Sequence, residues 1–276
     1  MDVHPVTGEN VVRWRELADG VLIRRYAELD LTVGLVLGDE WALVIDARGD
    51  RAQGEELAAA VRAVTALPWQ LVLTHAHFDH CFGTAAFAPA PFWAHVNFPP
   101  HLERTVELQR AEWVEHYRAS GDRERAEALA STEVRAPNRL VTDPVELDLG
   151  NRAVRLTHPG PGHTDHDLIA SVRDVSVLFA GDLLESGAAP DFGDALPLDW
   201  PETVGRALHG SPELVVAGHG EPMTRRRAVE QYDELRAVAE LCSAYSRGGI
   251  TAEEAVERGP YPPETMRTAL ERAPRE

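Results

Sequence analysis

The chain has 276 residues, 44% hydrophobic and 26% charged, the profile of an ordinary globular protein long enough for one large domain. Its 27 Lys and Arg against 45 Asp and Glu leave a formal charge of −18, a field that repels phosphate backbones and anionic lipid, so neither nucleic acid nor membrane is expected as a partner. Two cysteines make no disulfide framework, no apolar run approaches the ~20 residues of a spanning helix, and the first twenty residues lack a basic start followed by an apolar stretch, which together predict a cytoplasmic protein.

In chain order, Gly20 to Leu37 holds two short β-rich runs, and Trp41 to Asp46 is a compact apolar strand ending in an acid. Arg51 to Leu67 has helical apolar spacing and stops at Pro68, and Trp69 to Thr74 reads as a buried strand. This alternation predicts an α/β layer structure. A charged, Ala-rich region from Phe98 to Ala136 has helical period and is broken at Ser120-Gly121-Asp122. It predicts a helical insertion over 98–140, serving either as a lid over a site or as a layer packed on the sheet. Strand patterns return at Val145–Leu149, Ala153–Thr157, Leu168–Val172, Val175–Ala180 and Leu214–Ala217, and a mostly helical extension fills 225–276. The expectation is one domain over 1–276 with helical additions.

The chemistry concentrates in Thr74-His75-Ala76-His77-Phe78-Asp79-His80, directly after a buried strand. Imidazoles and a carboxylate are costly at the end of an apolar strand without a partner, and they are the donors that zinc and related metals take. Three more candidate ligands end strands or sit in glycine-rich turns: His163, Asp182 and His219. Strand ends of α/β sheets are where ligands collect.

The order His75-x-His77-x-Asp79-His80-x-x-Gly83, followed by His163, Asp182 and His219, resembles the metallo-β-lactamase superfamily from about Leu31 to Pro222. The resemblance implies a four-layer αβ/βα sandwich and two metal ions, zinc by preference with iron or manganese open. It implies that His75, His77 and His163 bind the first ion, that Asp79, His80 and His219 bind the second, and that Asp182 bridges them. Asp46, at a position also acidic in the family, would orient ligands without touching metal. A pair of ions sharing a hydroxide makes hydrolysis the natural chemistry, with Asp79 as the residue that orients the nucleophile and shuttles a proton.

The bridging position is Asp182, where β-lactamase branches with a Cys ligand place that Cys, and His77 stands where flavodiiron reductases carry Glu. The pattern is similar to thioesterases of the glyoxalase II type, to lactonases and to ribonuclease Z-like nucleases, the last disfavoured by charge. A small ester, thioester, lactone or amide is therefore the expected substrate. An iron sulfur dioxygenase, a β-lactamase-like activity and a non-catalytic metal-binding module are the rival readings, and a homodimer is left open. Phe192 and Trp200 are candidates for an apolar pocket wall and His166 for a substrate contact, against core packing and a surface turn respectively. His95, His101, His116 and His158 are read as having no functional role, and Cys81 as a packed small residue.

Overall fold

The computed structural model describes residues 12–273; the last three residues of the predicted C-terminal extension and the first eleven of the chain lie outside them. Sheet one runs β1 (Trp14–Ala18), β2 (Val21–Arg25), β3 (Thr32–Leu37), β4 (Ala42–Ile45), β5 (Trp69–Val72), β6 (Phe92–His95) and β7 (Arg139–Val141), in that order. Its first four strands pair antiparallel, and β4 to β7 pair parallel. The second sheet contains β8 (Val145–Asp148), β9 (Ala153–Thr157), β10 (Ile169–Val172), β11 (Val177–Gly181), β12 (Leu214–Ala217) and β13 (Met223–Thr224), ordered β13-β12-β11-β10-β9-β8. Parallel neighbours need crossovers, and α1 (Arg51–Val64) supplies the one between β4 and β5.

The two sheets face each other across a shared core that includes Ile23, Val36, Leu43, Ile45 and Val72 from one and Leu156, Ala170, Val172 and Phe179 from the other. The outer face of sheet one packs on α1, α3 (Phe98–Ala119) and α4 (Arg123–Ala130) through Leu57, Val61, Phe98, Leu102, Val114 and Leu129. The outer face of the second packs on α5 (Trp200–Ala207), α6 (Arg225–Ser246), α7 (Ala252–Arg258) and α8 (Pro263–Arg272). This is the four-layer αβ/βα sandwich. Central strands β4 and β11 are buried at every position because both faces are covered, so their sequences are apolar runs without alternation.

Local chemistry fixes the ends of the elements. Asp50 caps α1 by accepting from the Gln53 amide at 2.8 Å, and Thr251 with Glu254 forms a capping box on α7. Gly83 lets α1 approach the segment that follows β5: a Cβ there would overlap the Ala47 carbonyl and press on Gly54 Cα at 3.0 Å.

The segment 98–140 departs from the sequence reading. It is helical through α4, but its end is β7, which adds to the parallel edge of sheet one beside β6. α3 packs on the sheet as a layer and also lines a cavity. One face buries Phe98, Leu102, Val114 and Tyr117, while Thr105, Gln109 and Trp113 face the cavity described below.

Candidate metal centre

The chemistry-bearing side chains leave the strands at one edge of the sandwich. Asp46 follows β4, His75 and His77 follow β5, Asp182 follows β11 and His219 follows β12. Asp79 and His80 sit on the single turn α2 (Phe78–Cys81), and His163 lies in the turn after β9. Backbone strain accumulates here: Leu29, Asp30, Asp46 and Arg48 all have left-handed φ, between 51° and 69°. Each such non-glycine residue costs roughly 1–2 kcal/mol, which the surrounding structure must offset.

The seven predicted ligands come together. His75, His77, His163 and Asp182 form one group and Asp79, His80 and His219 another, each with donor atoms within 4.8 Å of one another. Asp182 joins the groups, with Oδ2 3.6 Å from His75 Nε2, 3.7 Å from His163 Nε2 and 3.2 Å from His219 Nε2, and Oδ1 3.4 Å from His80 Nε2. These spacings match donors held ~2.0–2.2 Å from a common ion, which stand roughly 3–3.5 Å apart.

Each imidazole has one nitrogen pinned and the other turned inward. His80 Nδ1 donates to Asp46 Oδ2 at 2.9 Å, His219 Nδ1 to the Leu29 carbonyl at 2.7 Å, and His163 Nδ1 to the Asp191 carbonyl at 3.2 Å. His77 Nε2 meets Asp194 Oδ1 at 3.1 Å, and His75 Nδ1 meets Thr74 Oγ1 at 3.1 Å. The partners are acceptors, so they set the tautomer and leave lone pairs pointing into the cluster. Those inward nitrogens then confront one another: His77 Nδ1 and His163 Nε2 at 3.0 Å, and His80 Nε2 and His219 Nε2 at 3.2 Å. Only a proton or a metal cation can sit between them. Among the described residues, His75 Nε2 and Asp182 Oδ1 are buried without a hydrogen-bond partner. Leaving such a group unmet costs about 1–3 kcal/mol, so the donor set fits metal ions.

Electrostatics agree with a cation-hungry centre. Burial, reinforced by His80, drives the His75 imidazolium well below its usual range. Burial also opposes charge on His80 and His219, but Asp182 foremost, with Asp79, outweighs it, holding His80 well above the ordinary value and His219 at about 10. Burial would raise Asp182, yet His80, His219 and His75 hold its carboxyl well below the usual range.

Asp46 ties the centre together behind the ligands. It accepts from the Thr74 amide at 2.8 Å and from Thr74 Oγ1 at 2.9 Å, in addition to His80. Gly218 is required by space alone, because a Cβ there would overlap Asp182 Oδ1 and lie 2.7 Å from His80 Cε1.

None of the three candidate pocket residues lines the cavity. Phe192 and Trp200 are fully buried, with rings 4.9 Å apart, and Trp200 backs His163 at 5.7 Å instead of facing a cavity. Eight residues from Trp200 form α5, which draws both aromatics into the second sheet's outer core. His166 is neither a surface residue nor a cavity residue: it is fully buried, with Nε2 accepting from the Ala76 amide at 3.1 Å and Nδ1 2.7 Å from Asp165. It pins the backbone between His75 and His77. Cys81 is buried, and burial pushes its thiol well up, consistent with a packed small residue.

The sequence reading missed other groups. Asp194 orients His77 and lies 3.5 Å from His101 Nε2, so His101 belongs to the site. Glu185, 6% exposed, lies beside Asp182 and His219, and burial pushes its carboxyl well up. No spacing marks any of these in the sequence. In front of the cluster opens a cavity of about 880 Å³, walled by α3, by Leu29 and Asp30, and by the 185–194 loop.

The metallo-beta-lactamase superfamily sequence model matches residues 31–237. A metallo-beta-lactamase type 2 of Bacillus cereus is 28% identical over 214 residues, 74% of this chain and 72% of that protein. An acyl-coenzyme A thioesterase of Gallus gallus, MBLAC2, is 28% identical over 58% of this chain and 60% of its own length. In fold, a metallo-beta-lactamase from Pontibacter korlensis superposes with a TM-score of 0.64 at 18% identity, covering 82% of this chain and 99% of that one. One from Erythrobacter litoralis gives 0.59 at 22% identity, covering 80% and 94%. Sandwich and site thus define a metal-dependent hydrolase with a His/Asp cluster able to bind metal. The chain belongs to the metallo-β-lactamase superfamily.

Proposed function

We infer that the protein is a dinuclear zinc hydrolase acting on a small ester, thioester, lactone or amide. The observation that carries this is the convergence of five imidazoles, each pinned through one nitrogen, with Asp79 and Asp182 on two adjacent donor groups. In this reading His75, His77 and His163 hold one ion, Asp79, His80 and His219 hold the other, and Asp182 serves both. Zinc bound by these residues would supply a nucleophile from water near neutral pH and a Lewis acid for the acyl oxygen.

The chain's own groups do the rest. Asp79 lines the cavity with Oδ2 3.3 Å from His219 Nε2, so it can hold and pass a proton at the reacting face. Asp46, Thr74 and Asp194 fix the imidazoles so that the donors are preorganised. Trp113 and Phe78, with rings 4.4 Å apart, form an apolar wall for an acyl or leaving portion. The kinship with a thioesterase favours thioesters within this class. Substituting Asp79→Ala should abolish turnover while leaving the fold and first-site metal in place. Retention of most activity would refute the role given to Asp79. Oxygen uptake on a persulfide by a one-iron protein would replace the hydrolase with a sulfur dioxygenase.

A further inference from the structure

The cavity wall has a charge pattern that the metal ligands do not explain. Among the described residues that line it there is no arginine, and the sequence contains no lysine. Every basic side chain is therefore a guanidinium or an imidazole, and the imidazoles at this cavity, His77, His101 and His219, are ligands or neighbours of ligands in the hydrolase reading. The wall instead carries Glu112 from α3, Glu185 and Asp191 from the loop after the bridging aspartate, and Asp30. Asp30 is neutralised by Arg25, with Arg25 Nη2 2.6 Å from its Oδ2. Glu112 and Glu185 make no ion pair with any described residue, and Glu185 is more than nine-tenths buried while still reaching the cavity. Whichever protonation state Glu185 takes, it offers no positive charge.

Resting on the hydrolase reading, we propose that this site selects substrates whose portion remote from the scissile bond is uncharged or cationic, and that it discriminates against those bearing a remote carboxylate or phosphate. The metal ions can attract the reacting acyl group, but an anion held several ångströms away needs a cationic side chain of its own, and the wall offers carboxylates in its place. Trp113 adds an aromatic face that suits an alkyl chain or a quaternary ammonium. Coenzyme A esters, whose carrier is polyphosphorylated, and β-lactams carrying a ring carboxylate are thus poor candidates here, although proteins similar to this chain carry those names.

Three thiols of one length test this independently of turnover: 6-mercaptohexanol, (6-mercaptohexyl)trimethylammonium and 6-mercaptohexanoate. Each presents the same thiol to the metal-loaded centre and differs only in the remote charge. Calorimetry on the zinc-loaded protein should give the carboxylate a Kd roughly tenfold or more above the other two, narrowing as salt rises. Glu112→Gln should shrink that ratio, and Glu112→Arg should reverse its sense. Equal or tighter binding of 6-mercaptohexanoate, or no binding of any of the three thiols, overturns the proposal. S-phenyl thioesters with the same three chain ends are then assayed for cleavage. If none is cleaved while the thiol order holds, the hydrolase reading fails and the charge selection stands.

Discussion

His80 donates its Nδ1 proton to Asp46 Oδ2 at 2.9 Å, although the two residues are 34 positions apart, Asp46 at the end of β4 and His80 on α2. The same carboxylate receives the amide and hydroxyl of Thr74, whose oxygen also meets His75 Nδ1. One buried acid therefore orients a residue of each donor group. Replacing Asp46 by Asn keeps the size but removes the charge and presents an amide that can donate in place of accepting. Chelator competition should show metal affinity reduced by about 10–100-fold, the usual loss for a group supporting metal ligands. Unchanged affinity at both sites would show that Asp46 does not orient the donors.

Asp194 makes the equivalent contact for His77 and is itself held through its backbone, since Arg272 Nη2 donates to the Asp194 carbonyl at 3.0 Å. Asp194→Ala should weaken the first donor group preferentially, giving protein that retains one metal more readily than two. Titration of the variant with zinc, followed by calorimetry, would separate two unequal sites. Two equal sites with wild-type affinity would contradict this role.

Gly218→Ala introduces a methyl where Asp182 Oδ1 and His80 already lie. Circular dichroism should remain that of the folded chain, because the conflict is local, while bound metal and hydrolysis fall by roughly two orders of magnitude, as happens when a ligand is displaced by about 1 Å. A fully active, metal-loaded variant would show that the centre is looser than described.

One histidine remote from the metal donors, His95, sets a pH dependence. Burial, with His158 stacked at 4.0 Å, holds His95 down to about 4. An unfolded histidine titrates near 6.5, so between these values the unfolded chain binds more protons than the folded one. Stability therefore rises with pH across about 4 to 6.5 and is independent of this group above that window. His95→Gln should lower the slope of unfolding free energy against pH there by up to about one proton. Urea titrations of metal-free protein at several pH values measure it, and an unchanged slope would exclude His95 as a contributor.

Much of this arrangement was legible in the sequence because strand ends advertise themselves. An apolar run that stops at His75, Asp182 or His219 has no reason to carry a polar group inward except to hold something. The supporting groups were not legible. Asp194 and Glu185 lie in a loop with no periodicity, and only the fold brings them to His77 and Asp182. For Phe192 and Trp200 the sequence leaves a cavity wall and the core open, and the fold takes the core because Trp200 opens α5 with Pro201 in its first turn, a start that suits a helix. Strands β1, β6, β7 and β13 have two to five residues each, too short for alternation to register.

The central claim is that two donor groups share Asp182 and hold two ions. The most direct test is to count zinc by mass spectrometry in protein purified without added metal, alongside His77→Ala and His219→Ala. The account predicts two zinc ions per chain, close to one in each variant, and thermal stability that rises when zinc is restored to the stripped protein. A single ion per chain in fully active protein, lost completely from both variants, would contradict it.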